Sequence, residues 1–314
     1  MKNDSRIAAE FMAAGRSKSC PVIDMHGHYG HFHGIYFPKP CADGMLETMD
    51  RCGVICIVCS SHSSLVDMER GNREMAEVVS QHPPRAPAAH ATVSTCAGAP
   101  RKLRFRPFYA YRTINPNYPE TAAKEISRFP EDPGFVGFKF HPSSHSYPVT
   151  GASYVPALEY ANEHRLLVLS HCWGHSETDG PKLFPKVVGK YPNATFLLGH
   201  SGYGEWEAAF AVAREFPNTY LELTAATRVS GIIARMVAEV GSEKVVFGTD
   251  LPWFDPHYGI GSVCFSRITD EDRRNILYQN AERLLAPFRG SGSGAPATAP
   301  RDAVCSRKLR FRPS

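Results

Sequence analysis

Eight short apolar runs, with helix-like segments between most of them and several ending in a histidine or an aspartate, predict a closed (β/α)8 barrel, an α/β fold of the TIM type. The expected strands are 22–25, 54–60, 108–114, 136–140, 166–170, 195–198, 220–223 and 244–249. From the third onward their starts recur every ~25 to 30 residues, the rhythm that repeated βα units require. Runs this short and this apolar read as strands buried on both faces. Leu166-Leu167-Val168-Leu169-Ser170 precedes His171, Thr195-Phe196-Leu197-Leu198-Gly199 precedes His200, and Val245-Val246-Phe247-Gly248-Thr249 precedes Asp250. The first run leads into Asp24-Met25-His26-Gly27-His28. Metal-ligand side chains are thus delivered to the strand ends where barrel enzymes build their sites.

Helices are expected at 72–80, 119–129, 154–164 and 231–240 from apolar residues at three- and four-residue spacing. A last one starts at Thr269, with Glu271 and Asp272 near its positive end, and runs towards Leu285. The segment 83–103, rich in Pro and Ala, and the Gly, Ser, Ala and Pro-rich end of the chain break the rhythm and are expected to be loop or disorder. The expected organisation is a partly ordered leader at 1–20, one barrel at 21–288 with a loop insertion at 83–103, and a basic low-complexity tail at 289–314. Arg-Lys-Leu-Arg-Phe-Arg-Pro occurs at 101–107 and again at 307–313. It is too short to be a structural repeat and reads as a sequence-level duplication or a transcript-processing oddity rather than a functional basic motif.

At 314 residues, 43% hydrophobic and 21% charged, the chain is an ordinary globular enzyme in composition. After Phe288 six cations stand against Asp302, a local +5, so the formal +4 leaves −1 for the rest. A near-neutral body argues against nucleic acid or a membrane surface as partner. The partners expected are a small-molecule substrate and at most a second copy of the chain. Nine cysteines is an odd number, and Cys52, Cys56 and Cys59 crowd one strand run, which suits free thiols in a reducing compartment. No run approaches the ~20 apolar residues of a membrane span, and Glu10, Arg16 and Lys18 interrupt any signal-peptide core. The expected location is the cytoplasm.

In a strand, residues two apart share a face, so Asp24, His26 and His28 point the same way. A histidine pair at that spacing can hold one divalent cation while further ligands arrive from other strands, and His171 and Asp250 are the candidates. Three neutral histidines and a carboxylate suit zinc or another first-row ion such as manganese, with a position left for water. Asp24 fits better one layer deeper, supporting the site.

Together with Gly137-Phe138-Lys139-Phe140-His141-Pro142, His171-Cys172-Trp173-Gly174, Gly199-His200-Ser201-Gly202 and Gly248-Thr249-Asp250-Leu251-Pro252, the Asp24-Met25-His26-Gly27-His28 motif resembles the amidohydrolase superfamily. The resemblance is to its "amidohydrolase family 2" branch, which includes aminocarboxymuconate-semialdehyde decarboxylase and related aromatic-acid decarboxylases. It implies His26, His28, His171 and Asp250 as ligands of one metal, and His200 as the group that orients or deprotonates the metal-bound water. Two-metal members of the superfamily carry a carboxylated lysine on the fourth strand, where Lys139 lies. The reading preferred for Lys139 and His141, which share a face, is binding of a substrate carboxylate or pairing with Glu222. Arg112 and Trp173 join them as expected substrate-binding residues; His31, His33, His62 and His145 sit in or after strand ends.

The activity expected first is hydrolysis of an amide, lactone or similar carbonyl: zinc lowers the pKa of its water, His200 takes or steers the proton, and Asp250 passes it to the leaving group. The alternative is non-oxidative decarboxylation of an aromatic or enoic acid on the same fold and metal. A third reading, a polyanion-binding protein acting through its basic tail, is disfavoured because the ligand set is intact and the tail short.

Overall fold

The computed structural model describes residues 5–84 and 105–289. Eight parallel strands follow one another in chain order around one sheet: β1 (Val22–Tyr29), β2 (Val54–Ser61), β3 (Phe108–Thr113), β4 (Phe135–Phe140), β5 (Leu167–Trp173), β6 (Thr195–Tyr203), β7 (Thr219–Glu222) and β8 (Val245–Val246). The segment after β8 returns to β1. Met25 N–H donates to Phe247 O at 2.9 Å, Asp250 N–H to His26 O at 2.8 Å, and His28 N–H to Leu251 O at 2.7 Å. These bonds bring the ring of strands nearly to closure, which leaves few unpaired edges.

β1, β5 and β6 run past the expected ends, at 25, 170 and 198, because the apolar pattern stops there while the ladder continues through the polar residues of the site. β8 is shorter than expected: beyond Val246 the chain bends to place Asp250, whose φ is 61°. The expected helices are observed as Met68–Gln81, Pro119–Ser127, Val155–His164 and Ile232–Val240. Thr269 and Asp272 form a reciprocal capping box at the start of the last helical segment, which includes a π turn over Asn275–Gln279. Arg6–Ala14, Ala42–Cys52, Trp206–Glu215 and Pro256–Phe265 are further helices. The first lies within the expected leader and packs Phe11 edge-on against Phe265.

Of the expected insertion, all but residues 83 and 84 lies outside the described residues, as does the tail beyond Arg289 and with it the second copy of the basic heptad. The described end of the first copy leads into β3. Phe105 is buried beneath the Arg289 guanidinium, 4.9 Å from the ring centroid, and Pro107 O accepts a hydrogen bond from Ile57 N–H. The seven described cysteines are free thiols, and six of them are buried. Among the described residues no helix is long and apolar enough to cross a membrane.

Candidate metal centre and active site

The ends of β1, β4, β5 and β6 and the loops after β2, β7 and β8 surround a cavity of about 370 Å³. β1 presents His26 and His28, and the bend after β8 brings Asp250 to them. Asp250 Oδ1 lies 3.0 Å from His26 Nε2 and 3.2 Å from His28 Nε2. The oxygen is buried and has no hydrogen-bond partner. Metal bonds of about 2.0 to 2.1 Å set neighbouring ligand atoms roughly 3 Å apart, so three donors at this spacing without a hydrogen bond between them fit one divalent cation. Burial works to raise the Asp250 pKa, but His26 and His200 hold it well below the usual carboxylate range. Burial lowers His28 to about 3, which keeps it neutral and able to ligate.

Both histidines are oriented from behind. Glu222 Oε2 stands 2.8 Å from His26 Nδ1 and accepts the His200 N–H at 3.1 Å, while its Oε1 accepts from Thr224 N–H and Oγ1. A carboxylate on Nδ1 fixes the tautomer that leaves Nε2 free for a cation. Gly248 makes room for this: a Cβ there would lie 2.1 Å from Glu222 Oε1 and 2.8 Å from His26 Cβ. Ser60 Oγ is 3.2 Å from His28 Nδ1. Asp24 lies one layer down, accepting hydrogen bonds from His26 N–H, Thr249 N–H and Thr249 Oγ1, and burial pushes its carboxyl up to about 8.

His171, the fourth expected ligand, stands apart from these three. Its Nδ1 is 2.7 Å from Asp179 Oδ2, its ring stacks on His141 with centroids 4.3 Å apart, and with them it forms a separate group of donor atoms. It still lines the cavity beside His200, with ring centroids 4.7 Å apart. His200 sits at φ 67°, a region that costs a non-glycine residue energy and that recurs at functional positions. Burial drives its pKa well down, and its Nδ1 is buried without a partner.

Lys139 and His141 line the cavity as expected, but Lys139 does not pair with Glu222, whose oxygens are occupied. Its Nζ lies 2.9 Å from His26 Nε2, and burial lowers its pKa to about 8. Trp173 stacks on Tyr203 and stands edge-on to His200. Arg112 departs from expectation. Tyr111 turns inward to donate to Met25 O, so the next side chain on β3 faces outward. There Arg112 is 2% exposed, bound to Glu125 and Asp132, and is not among the cavity's lining residues. Of the loop histidines only His62 reaches the cavity. It stacks on His28 and accepts from Trp253 Nε1–H at 2.9 Å.

Phe32, Trp253, Phe254 and Arg228 also line the cavity and were not anticipated. Trp253 and Phe254 directly follow the Gly-Thr-Asp-Leu-Pro motif, and Glu222 is a lone acid inside an apolar run; both signals were visible in the sequence. Asp179 and Arg228 carry none.

A family model described as amidohydrolase matches residues 23–286, and the chain belongs to that family of enzymes. A search of curated protein sequences found no match. Among solved structures, the chain is similar to a 2,6-dihydroxybenzoate decarboxylase in complex with 2,6-dihydroxybenzoate, with a TM-score of 0.65, 14% identity, and coverage of 85% of this chain and 99% of that one. A dihydroxybenzoic acid decarboxylase from Polaromonas sp. JS666, holding manganese and the inhibitor 2-nitroresorcinol, gives a TM-score of 0.63 at 16% identity, covering 85% and 97%. The 5-carboxyvanillate decarboxylase LigW from Sphingomonas paucimobilis gives 0.61 at 14% identity, covering 86% and 99%. At these identities the likeness is one of fold.

Proposed function

We propose that the protein is a divalent-metal-dependent, non-oxidative decarboxylase of an aromatic carboxylic acid. This takes the second of the two activities read from the sequence in place of hydrolysis. The observation that carries it is the composition of the cavity: a floor of His26, His28, Asp250 and Lys139 beneath walls of Phe32, Trp173, Trp253 and Phe254. Flat aromatic walls suit a planar ring, and the Lys139 ammonium, beside a divalent ion held by the histidines and Asp250, suits its carboxylate. The decarboxylases among similar folds, two of them solved with manganese, support the same reading.

His26, His28 and Asp250 would hold the metal, with His171 as the further ligand through Nε2, the nitrogen Asp179 leaves free. When bound, a divalent ion supplies positive charge that fixes and polarises an oxygen of the substrate. Lys139 adds a point charge for an anionic oxygen beside it. The reaction exchanges a carboxylate for a proton. The ring carbon takes a proton, the bond to the carboxyl carbon breaks with its electron pair returning to the ring, and CO2 leaves with no net oxidation. Asp250 and His200 are the groups at the floor able to hold and pass that proton. The aromatic walls keep water from competing for the reacting carbon.

The test is mass spectrometry of products after incubating protein loaded with Mn2+ or Zn2+ with 2,6-dihydroxybenzoate, other hydroxybenzoates, lactones and amides. Products lighter by CO2 support the proposal. Products heavier by water, with no loss of CO2 from any acid, return the assignment to hydrolysis.

A further inference from the structure

Arg228 is a cationic side chain at the cavity. It ends the 3-10 turn Ala226–Arg228, and its N–H donates to Ala225 O at 3.1 Å. Ala225, also in the cavity lining, sits at φ 62°, so the turn is held in a conformation unfavourable for a residue with a side chain. The guanidinium stands over two aromatic faces, 5.6 Å from the Tyr203 centroid and 5.4 Å from that of Phe254. Contacts of this kind hold the group by its face and leave its N–H edge available. Among the described residues no carboxylate pairs with it, and Asp250 is the sole acid among the lining residues. Lys139 is buried in the floor, whereas Arg228 is exposed at the mouth. The cavity therefore presents two cationic side chains, one buried and one exposed, among aromatic lining residues.

We infer that Arg228 is a specificity-determining residue that selects an aromatic diacid: one carboxylate at the metal-binding floor, the ring between the walls, and a second carboxylate on the Arg228 fork. This rests on the reading of the cavity as an aromatic-acid site and adds the second anionic group. A planar guanidinium meets a carboxylate with two parallel hydrogen bonds, a geometry that Lys cannot reproduce.

The experiment measures binding of benzene-1,3-dicarboxylate and of benzoate to Mn2+-loaded protein by calorimetry, for the wild type, Arg228→Gln and Arg228→Lys. The wild type should bind the diacid ~10- to 100-fold more tightly than the monoacid, the usual worth of a charge-assisted hydrogen bond. Arg228→Gln should lose that ratio with benzoate affinity unchanged, and Arg228→Lys should keep only part of it. Equal binding of the two acids by the wild type overturns the inference, as does a ratio that survives in Arg228→Gln. If Arg228→Gln does not fold, the wild-type ratio and Arg228→Lys decide, and full retention of the ratio by Lys also overturns it. Release of CO2 from monoacids without preference for diacids would leave decarboxylation standing and remove Arg228 from recognition. Diacid preference without CO2 release would do the reverse.

Discussion

Glu222 Oε2 lies 2.8 Å from His26 Nδ1 while the opposite nitrogen of the same ring lies 3.0 Å from Asp250 Oδ1. One imidazole is thereby held between a carboxylate that orients it and a carboxylate that faces its other nitrogen. Glu222→Gln keeps the shape but loses the negative charge that fixes the ring's tautomer and orientation. Metal affinity should fall ~10- to 100-fold, as measured by chelator competition. An unchanged affinity would show that Glu222 is only a packing group.

The purified protein should hold one divalent ion per chain, since His26, His28 and Asp250 converge on one point and Lys139 Nζ lies against His26. His26→Ala should remove metal and turnover together. Elemental analysis giving two ions per chain, with density for a carboxylated Lys139, would overturn the single-metal reading.

His200→Asn retains a hydrogen-bonding group of similar reach and removes the basic nitrogen. Metal content should stay near wild type while turnover falls by ~10² to 10⁴. Both are to be measured on the same sample, because loss of metal would make His200 a ligand, and near-full turnover would make it structural.

Arg112 is predicted to matter for stability alone. Removing it by Arg112→Ala leaves the buried Glu125 carboxylate with only Asn72 and the half-exposed Arg128 as partners and should cost about 3 kcal/mol in denaturant unfolding. In the fraction that folds, KM should be unchanged; a raised KM would put Arg112 back in the substrate site.

Glu10 supplies a pH dependence remote from the site. Burial opposes its ionisation, but hydrogen bonds from Ser17, Arg6 and Ser19 bring its pKa down to about 2. Because the folded value lies below the unfolded one, the stabilisation is present above pH 4.5 and is lost as pH falls through the folded value. Glu10→Gln should destabilise by about 1 kcal/mol at neutral pH, a figure discounted for solvent screening, with the difference shrinking below pH 4.5. A difference constant across that window would mean that the carboxylate's charge plays no part.

Periodicity and local motif were enough for the barrel, for His26, His28 and Asp250 at one end of it, and for the depth of Asp24. These follow from alternation along a strand and from the way apolar runs stop at a site, both local properties. Which way Arg112 faces was decided by the inward turn of Tyr111, a matter of barrel registration that a strand edge in sequence does not carry. His171 is paired with Asp179, and Arg228 stands over rings contributed by β6 and by the loop after β8. Local sequence determined which residue types reach the rim of the barrel. Only the closed ring of strands decided which of them meet, because those distances are set between segments far apart in the chain.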